Sequence, residues 1–119
     1  MRDFRKLEIW GQSVAFAKRV YELTASFPSH EKYGLSSQMN RAVVSISSNI
    51  AEGCSRRTNI EFTRFLDIAL GSSFELETQL EIARQISYLS QELYENLLLE
   101  LNILQKRINS FREKIKAAG

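Results

Sequence analysis

The sequence predicts an all-α protein, an antiparallel up-down-up-down four-helix bundle built as one domain over residues 1–119. Three observations predict it. Apolar residues recur at three- and four-residue spacing through most of the chain. Only 5 glycines and 1 proline are present, too little turn material for a sheet of short strands. Apolar residues make up 44% and charged residues 25%, the ordinary globular balance, on a chain long enough for one core and too short for two.

The first helix is expected from about Asp3 to Phe27. Leu7, Trp10, Val14, Ala17, Tyr21 and Thr24 form a heptad seam. A second row, Phe16, Val20, Leu23 and Phe27, widens the apolar stripe and gives this helix neighbours on more than one side. Pro28 ends it, because proline disfavours a helical conformation in the residue before it. Ser29 to Gly34 form the connection, and Ser36 or Ser37 is the expected N-cap of the second helix.

That second helix, Leu35 to Gly53, carries two stripes. Leu35, Met39, Ala42, Val43, Ile46 and Ile50 share one face, while Gln38, Arg41, Ser45, Ser48 and Glu52 line an adjacent one. Ser36, Ser37, Ser47 and Asn49 add further poor helix formers. A solvated helix face favours Lys and Glu instead, so something other than propensity selected this polar stripe. Gly53 is the expected left-handed terminus.

After a loop at Cys54, Ser55, Arg56 and Arg57, Thr58 with Glu61 forms a capping box that opens helix three. Its core face reads Phe62, Phe65, Leu66, Ala69, Ser73, Leu76, Leu80 and Ala83. Gly71, Ser72 and Ser73 interrupt it without shifting its phase, which predicts close approach of a neighbouring helix, with a kink as the alternative. The period resets around Tyr88 to Gln91, and Ser90 with Glu92 and Leu93 starts helix four. There Leu93, Leu97, Leu101, Leu104, Ile108, Phe111 and Ile115 hold heptad spacing, and Lys116 to Gly119 are expected to fray. Helices of this size, joined by short loops, reach up to ~45 Å at 1.5 Å per residue.

Up-down topology brings the N-terminus, the loop between helices two and three, and the C-terminus to one end, the base. Arg2, Arg5, Lys6, Arg56, Arg57, Arg64, Lys106, Arg107, Arg112, Lys114 and Lys116 belong to it, against Asp3, Glu8, Glu52, Glu61, Asp67 and Glu113. The opposite end holds Lys18, Arg19, Lys32, Arg41 and Arg84 against eight glutamates. A chain with a net charge of only +2 thus folds into a polarised rod. Its basic end can contact phosphates, although basic residues also complement helix C-termini.

Catalytic material is poor. His30 reads as a solvated loop residue beside Glu31, and Cys54 as a small space-filling thiol, with activation by the helix-three N-terminus, Arg56 and Arg57 as the weaker reading. One cysteine and one histidine make neither an internal disulfide nor a four-ligand zinc site. No phosphate-cradling glycine loop and no Glu-x-x-His metal pattern is present. The sequence therefore predicts a non-enzyme with no metal and no cofactor. No apolar run has signal-peptide or membrane-spanning length, so no membrane association and a cytoplasmic location are expected.

In order and spacing the residues resemble the four-helix-bundle family encoded in intervening sequences of bacterial 23S rRNA genes. They resemble more distantly the accessory variability determinant of diversity-generating retroelements. The matching pieces are Leu7 to Trp10, Phe27-Pro28 with Glu31, Tyr33-Gly34-Leu35, Gln38, Arg41-Ala42, Ser45, Asn49 to Gly53, Glu61-Phe62, Arg64-Phe65-Leu66, Ala69 to Ser72, and Glu75-Leu76. They cover most of residues 4–89, and helix four matches only in general character. Asn40 departs from the family pattern, which has two basic residues in a row at Asn40-Arg41. The resemblance implies a homo-oligomer, a pentamer of bundles. For the retroelement relatives it implies a ring that binds nucleic acid and a reverse transcriptase.

Three roles fit the polar stripe: a subunit interface, a buried network within one bundle, or a nucleic-acid contact. Arg41 and Glu52 lie ~16 Å apart along a straight helix, so each needs a partner elsewhere. The interface reading therefore leads, with Gln38, Arg41, Ser45, Ser48 and Glu52 at the contact and Arg41 meeting a carboxylate such as Glu75 of this or the next chain. Two functions follow. One is an oligomer that holds RNA or DNA phosphates through Arg56, Arg57, Arg64, Lys106, Arg107, Arg112, Lys114 and Lys116. The other is a scaffold for a protein partner without nucleic-acid binding.

Overall fold

The computed structural model describes residues 2–119 and contains four helices: α1 Glu8–Ala25, α2 Leu35–Cys54, α3 Asn59–Gln85 and α4 Gln91–Ala117. Among the described residues there is no strand, and short 3₁₀ turns at Phe4–Lys6 and Ser29–Glu31 precede α1 and α2. Each helix packs on the next and α4 returns to α1, leaving α1–α3 and α2–α4 as diagonals across the core. Polar contacts fix the antiparallel order. Thr24 Oγ1 donates to Asn40 Oδ1 at 2.9 Å, joining the end of α1 to the start of α2. The Ser45 and Ser72 hydroxyls meet at 2.8 Å midway along α2 and α3, and Arg19 of α1 pairs with Glu100 of α4. The rod measures 45 × 24 × 20 Å, the length that the helical rise predicts.

The core follows the predicted apolar sets of α2 and α4, apart from Leu35, Leu93 and Phe111, which are half-buried at its edge, with one reassignment in α1. Met39, Ala42, Val43, Ile46 and Ile50 of α2 and Leu97, Leu101, Leu104, Ile108 and Ile115 of α4 are buried. Each of these side chains other than Ala42 contributes about 1.5–3 kcal/mol by leaving water. In α1 the buried face is the second row, Phe16, Val20 and Leu23 continued by Phe27, together with Ile9, which neither expected row contained. Of the expected heptad seam Thr24 is buried and Leu7, Trp10 and Ala17 are half-buried against the core, while Val14 and Tyr21 are exposed. Tyr21 and Thr24 border a recess with Ser36 and Asn40 of α2. Asn40 therefore has a structural reason to be Asn, since its carbonyl receives the Thr24 hydroxyl.

Helix ends differ from expectation in two places. Gly34, not Ser36 or Ser37, is the N-cap of α2, and the orphan N–H of Leu35 donates to Glu31 Oε1 at 3.1 Å. Ser36 is helical and buried. At the other end α2 continues through Gly53 to Cys54, and Gly53 does not adopt a left-handed backbone. The side of Gly53 that lacks a Cβ is where Phe62 and Phe65 of α3 press in. The α3 and α4 starts follow the sequence: Thr58 Oγ1 accepts from Glu61 N–H, and Ser90 Oγ accepts from Leu93 N–H. Helix α3 runs unbroken through Gly71, Ser72 and Ser73. Ser73 is buried and Ser72 makes the bond to α2, whereas Gly71 faces open space. Close approach is thus the work of the serines.

The acidic end is closed by hydrogen bonds between its two loops. Helix α3 ends in a Schellman motif, with Tyr88 N–H on Ala83 C=O at 2.9 Å and Ser87 N–H on Arg84 C=O at 3.0 Å. Ser87 sits at φ 65°, a conformation glycine adopts more cheaply. The motif aims Tyr88 at the α1–α2 loop, where its hydroxyl donates to Glu31 Oε2 at 2.7 Å and its ring lies 4.9 Å from Phe27. That hydroxyl, followed by the Leu35 N–H, holds the Glu31 carboxyl below its ordinary pKa.

A second carboxylate, Glu81, accepts from Arg84, from Gln85 Nε2 at 2.9 Å and from Tyr94 OH at 2.8 Å. These bonds lower its pKa from 4.5 to about 2, Arg84 contributing most. Because the folded value is the depressed one, this stabilisation is complete above the unfolded value and is lost as pH falls through about 2. Between those values the urea midpoint of the wild type should fall steadily, and Glu81→Gln should flatten part of that decline. An identical slope in the variant would rule out Glu81 as a contributor.

Candidate nucleic-acid interface

The last turn of α2 and the four residues to Thr58 position the first pair of basic side chains. Arg56 N–H bonds Gly53 C=O at 3.1 Å, which turns its side chain back over α3. Its guanidinium lies 4.6 Å from the centre of the Phe65 ring, and its Nη2 is 3.3 Å from Glu52 Oε1. Glu52 thus finds its partner one turn ahead in its own chain, contrary to the expectation that it needs one elsewhere. Arg57 beside it is exposed and has no ion pair among the described residues.

The remaining predicted cations fall on two sides of α4. Arg64 from α3 and Lys116 from α4 line one recess with Asn59, Ile60 and Thr63. Lys106, Arg107 and Lys114 line a groove against Leu7, the N-cap of α1, and Glu8 and Ile9 of its first turn. Arg112 belongs to neither. It is held between Asp67 of α3 and Glu113, with its side chain only 20% exposed, and these carboxylates raise its pKa. Its function is to clamp α4 to α3.

Pairing therefore sharpens the polarity of this end. Asp3, Glu52, Asp67 and Glu113 are occupied by Arg5, Arg56 and Arg112. Arg57, Arg64, Lys106, Arg107, Lys114 and Lys116 have no ion pair among the described residues. Arg2, which the sequence placed at the base without a role, donates its backbone N–H to Cys54 C=O at 3.1 Å and spreads its guanidinium near the Phe62 and Phe111 rings. No sequence signal marks that contact, because it depends on where the N-terminus crosses the base. Cys54 itself is buried, and burial pushes its pKa up, so the thiol is not activated by the arginines that follow it.

Part of the polar stripe of α2 takes up one of its expected roles, a network within the bundle. Ser45 joins an internal network, bonded to Ser72 and to Asn49 Nδ2 at 2.9 Å. Gln38, Arg41 and Ser48 are exposed, and Gln38, Arg41 and Ser45 border an open recess with Glu75 of α3. Arg41 and Glu75 line that recess together and form no ion pair with each other. Beside them α3 shows a feature that its predicted core face did not reveal. Ile60, Ile68, Phe74 and Ile82, with Ile86 just past its end, are 48–64% exposed. At 100° per residue they fall within ~120° of one another on the outer surface of the helix.

The fold and this polarised surface define a four-helix bundle with an excess of unpaired cations at one end. The chain belongs to the family described as 23S rRNA-intervening sequence protein, whose model matches residues 5–110. A solved structure from Bacteroides thetaiotaomicron VPI-5482, described as a protein with unknown function from the S23 ribosomal protein family, is similar to it. The two share 27% identity with a TM-score of 0.82, over 88% of this chain and 95% of that one. Among curated proteins nothing matches. No helix among the described residues is long and apolar enough to cross a membrane, and none of their His, Cys, Asp and Glu side chains cluster in a metal-holding group.

Proposed function

We propose that the protein is a non-enzymatic homo-oligomer of bundles that holds RNA or DNA by its phosphates through the basic end. The observation that carries this reading is the asymmetry of pairing: most carboxylates at that end are occupied, while Arg57, Arg64, Lys106, Arg107, Lys114 and Lys116 are left without partners. Lysine and arginine placed on a surface with neither a groove-sized helix nor a stacking platform contact the phosphodiester chain without reading sequence. Repeating the surface in an oligomer adds avidity.

Self-association is supported by the outer side of α2 and α3. A helix that is apolar on its outer as well as its inner face is normally covered. The exposed isoleucines and Phe74 of α3 adjoin the open recess holding Arg41 and Glu75. In this reading Arg41 of one subunit meets Glu75 of the next, with Gln38, Ser45 and Ser48 allowing close approach and Glu52 at the lower edge. The proposed oligomer has five copies, the number that the resemblance leads one to expect.

Light scattering and filter binding to a structured RNA test the two halves. A mass near five times the 13.7 kDa chain is expected, and a monomer would remove the interface. If these six cations engage phosphates, affinity should fall by roughly 10³ between 50 and 200 mM salt. Affinity absent at low salt, or indifferent to salt, would remove the phosphate reading.

A further inference from the structure

The α1–α4 contact is the loosest of the four between sequential or closing neighbours. Its consequence is a groove on the side of the rod away from the α2–α3 surface. Two recesses of about 370 and 380 Å³ meet at Arg107, and their lining runs from Leu7 to Arg19 along α1 and from Glu100 to Lys114 along α4. At 1.5 Å per residue the walls extend ~18–21 Å, the length of a helix of about 14 residues. The Arg19–Glu100 ion pair lies at the upper limit.

The chemistry of the groove is two-sided. Its α4 wall presents Ile103, 43% exposed, and half-buried Phe111. Its free rim carries Lys106, Arg107 and Lys114, which outnumber the single unpaired carboxylate there, Glu8. Gln12, which borders the upper recess, keeps a buried Oε1 with no donor. A phosphodiester strand would satisfy the rim and leave Ile103 bare, because single strands bind by stacking on exposed aromatic faces and Phe111, the aromatic ring of this wall, is half-buried. An apolar floor between cations is instead the complement of an amphipathic helix whose flanks are acidic.

We propose that the α1–α4 groove seats an acidic amphipathic helix of about 14 residues from another protein, packed as a fifth helix over Ile103 and Phe111. The phosphate reading is independent of it, and the two share only Lys106, Arg107 and Lys114. Partner helix and nucleic acid then compete for those three side chains.

The probe is a fluorescein-labelled 16-residue peptide with leucines at helical three- and four-residue spacing and glutamates between them. Its control is the same composition scrambled to destroy the apolar face. Fluorescence polarisation with the full-length protein should give at least tenfold weaker binding for the scrambled peptide. The same loss is expected for Ile103→Glu and for the doubly exposed Lys106→Glu/Lys114→Glu variant, each checked for wild-type helicity and mass. Equal binding of both peptides would overturn the proposal by reducing it to charge alone. So would unaltered binding by Ile103→Glu, or an altered oligomer mass in that variant, which would make the groove a subunit contact. A 15-nucleotide single-stranded RNA losing as much affinity as the patterned peptide in Ile103→Glu would assign the groove to nucleic acid. Failure of RNA binding in the wild type leaves the peptide outcome readable.

Discussion

Gly53→Ala is expected to lower stability by about 1–2 kcal/mol, although alanine is the better helix former by about 1 kcal/mol. A Cβ on Gly53 would stand 2.8 Å from Phe62 Cδ1 and 2.9 Å from Phe65 Cβ. Neither neighbour is free to yield. Phe62 is buried and packs edge-on against Phe111 of α4 at 5.8 Å, and Phe65 lies under the Arg56 guanidinium. Relief therefore requires α2 and α3 to separate beside the four-residue loop that joins them. Gly71→Ala is the internal control. Nothing lies within 4 Å of its absent Cβ, so the same substitution there should raise stability by about 0.5–1 kcal/mol. Gly53→Val, larger and β-branched, should cost about 3 kcal/mol or more, at the upper end of overpacking. Urea unfolding of the three variants measures all of this, and a Gly53→Ala protein as stable as the wild type would show that the α2–α3 crossing adapts.

The two glycines also mark how far the sequence could be read. Both sit in helical pattern, and only a neighbour from another segment distinguishes them. Gly53 looked like a terminus because glycine is a natural left-handed helix end, yet the helix continues to Cys54 and the missing side chain makes room for Phe62. The α2 and α4 cores were legible because one apolar row dominates each. In α1 two rows compete at the same spacing, and the placement of α2 and α4 decides that Phe16, Val20 and Leu23 are buried while Val14 and Tyr21 are not. Thr58 and Ser90 were readable caps because their partners lie three residues on. The Glu31 cap on Leu35 was not, since it comes from the end of a 3₁₀ turn, four residues before the helix starts. In the candidate site the charges were legible and their pairing was not: Arg112 reads like any surface arginine until α3 brings Asp67 alongside.

That pairing separates the predicted cations into two classes with different responses to charge reversal. Arg57→Glu, Arg64→Glu and Lys116→Glu together should weaken RNA binding by on the order of 100-fold or more at 0.1 M salt and reduce the slope of log affinity against log salt by about 3. Each of the three side chains is exposed and none is in an ion pair, so the folded state loses no internal bond and the thermal midpoint should scarcely move. Arg112→Glu should behave in the opposite way. It would place a third carboxylate beside Asp67 and Glu113, where the native guanidinium binds both, and the repulsion would act on the α3–α4 contact. Stability should fall while the salt slope of whatever protein remains folded stays near that of the wild type. Arg56→Glu should follow Arg112 more than Arg57, since it removes the stack on Phe65 and repels Glu52. Adjacent in sequence and alike in charge, Arg56 and Arg57 therefore provide the sharpest comparison. If reversing Arg56 alone changed the salt slope while reversing Arg57 did not, the division by pairing would be wrong and the phosphate surface would lie toward α2.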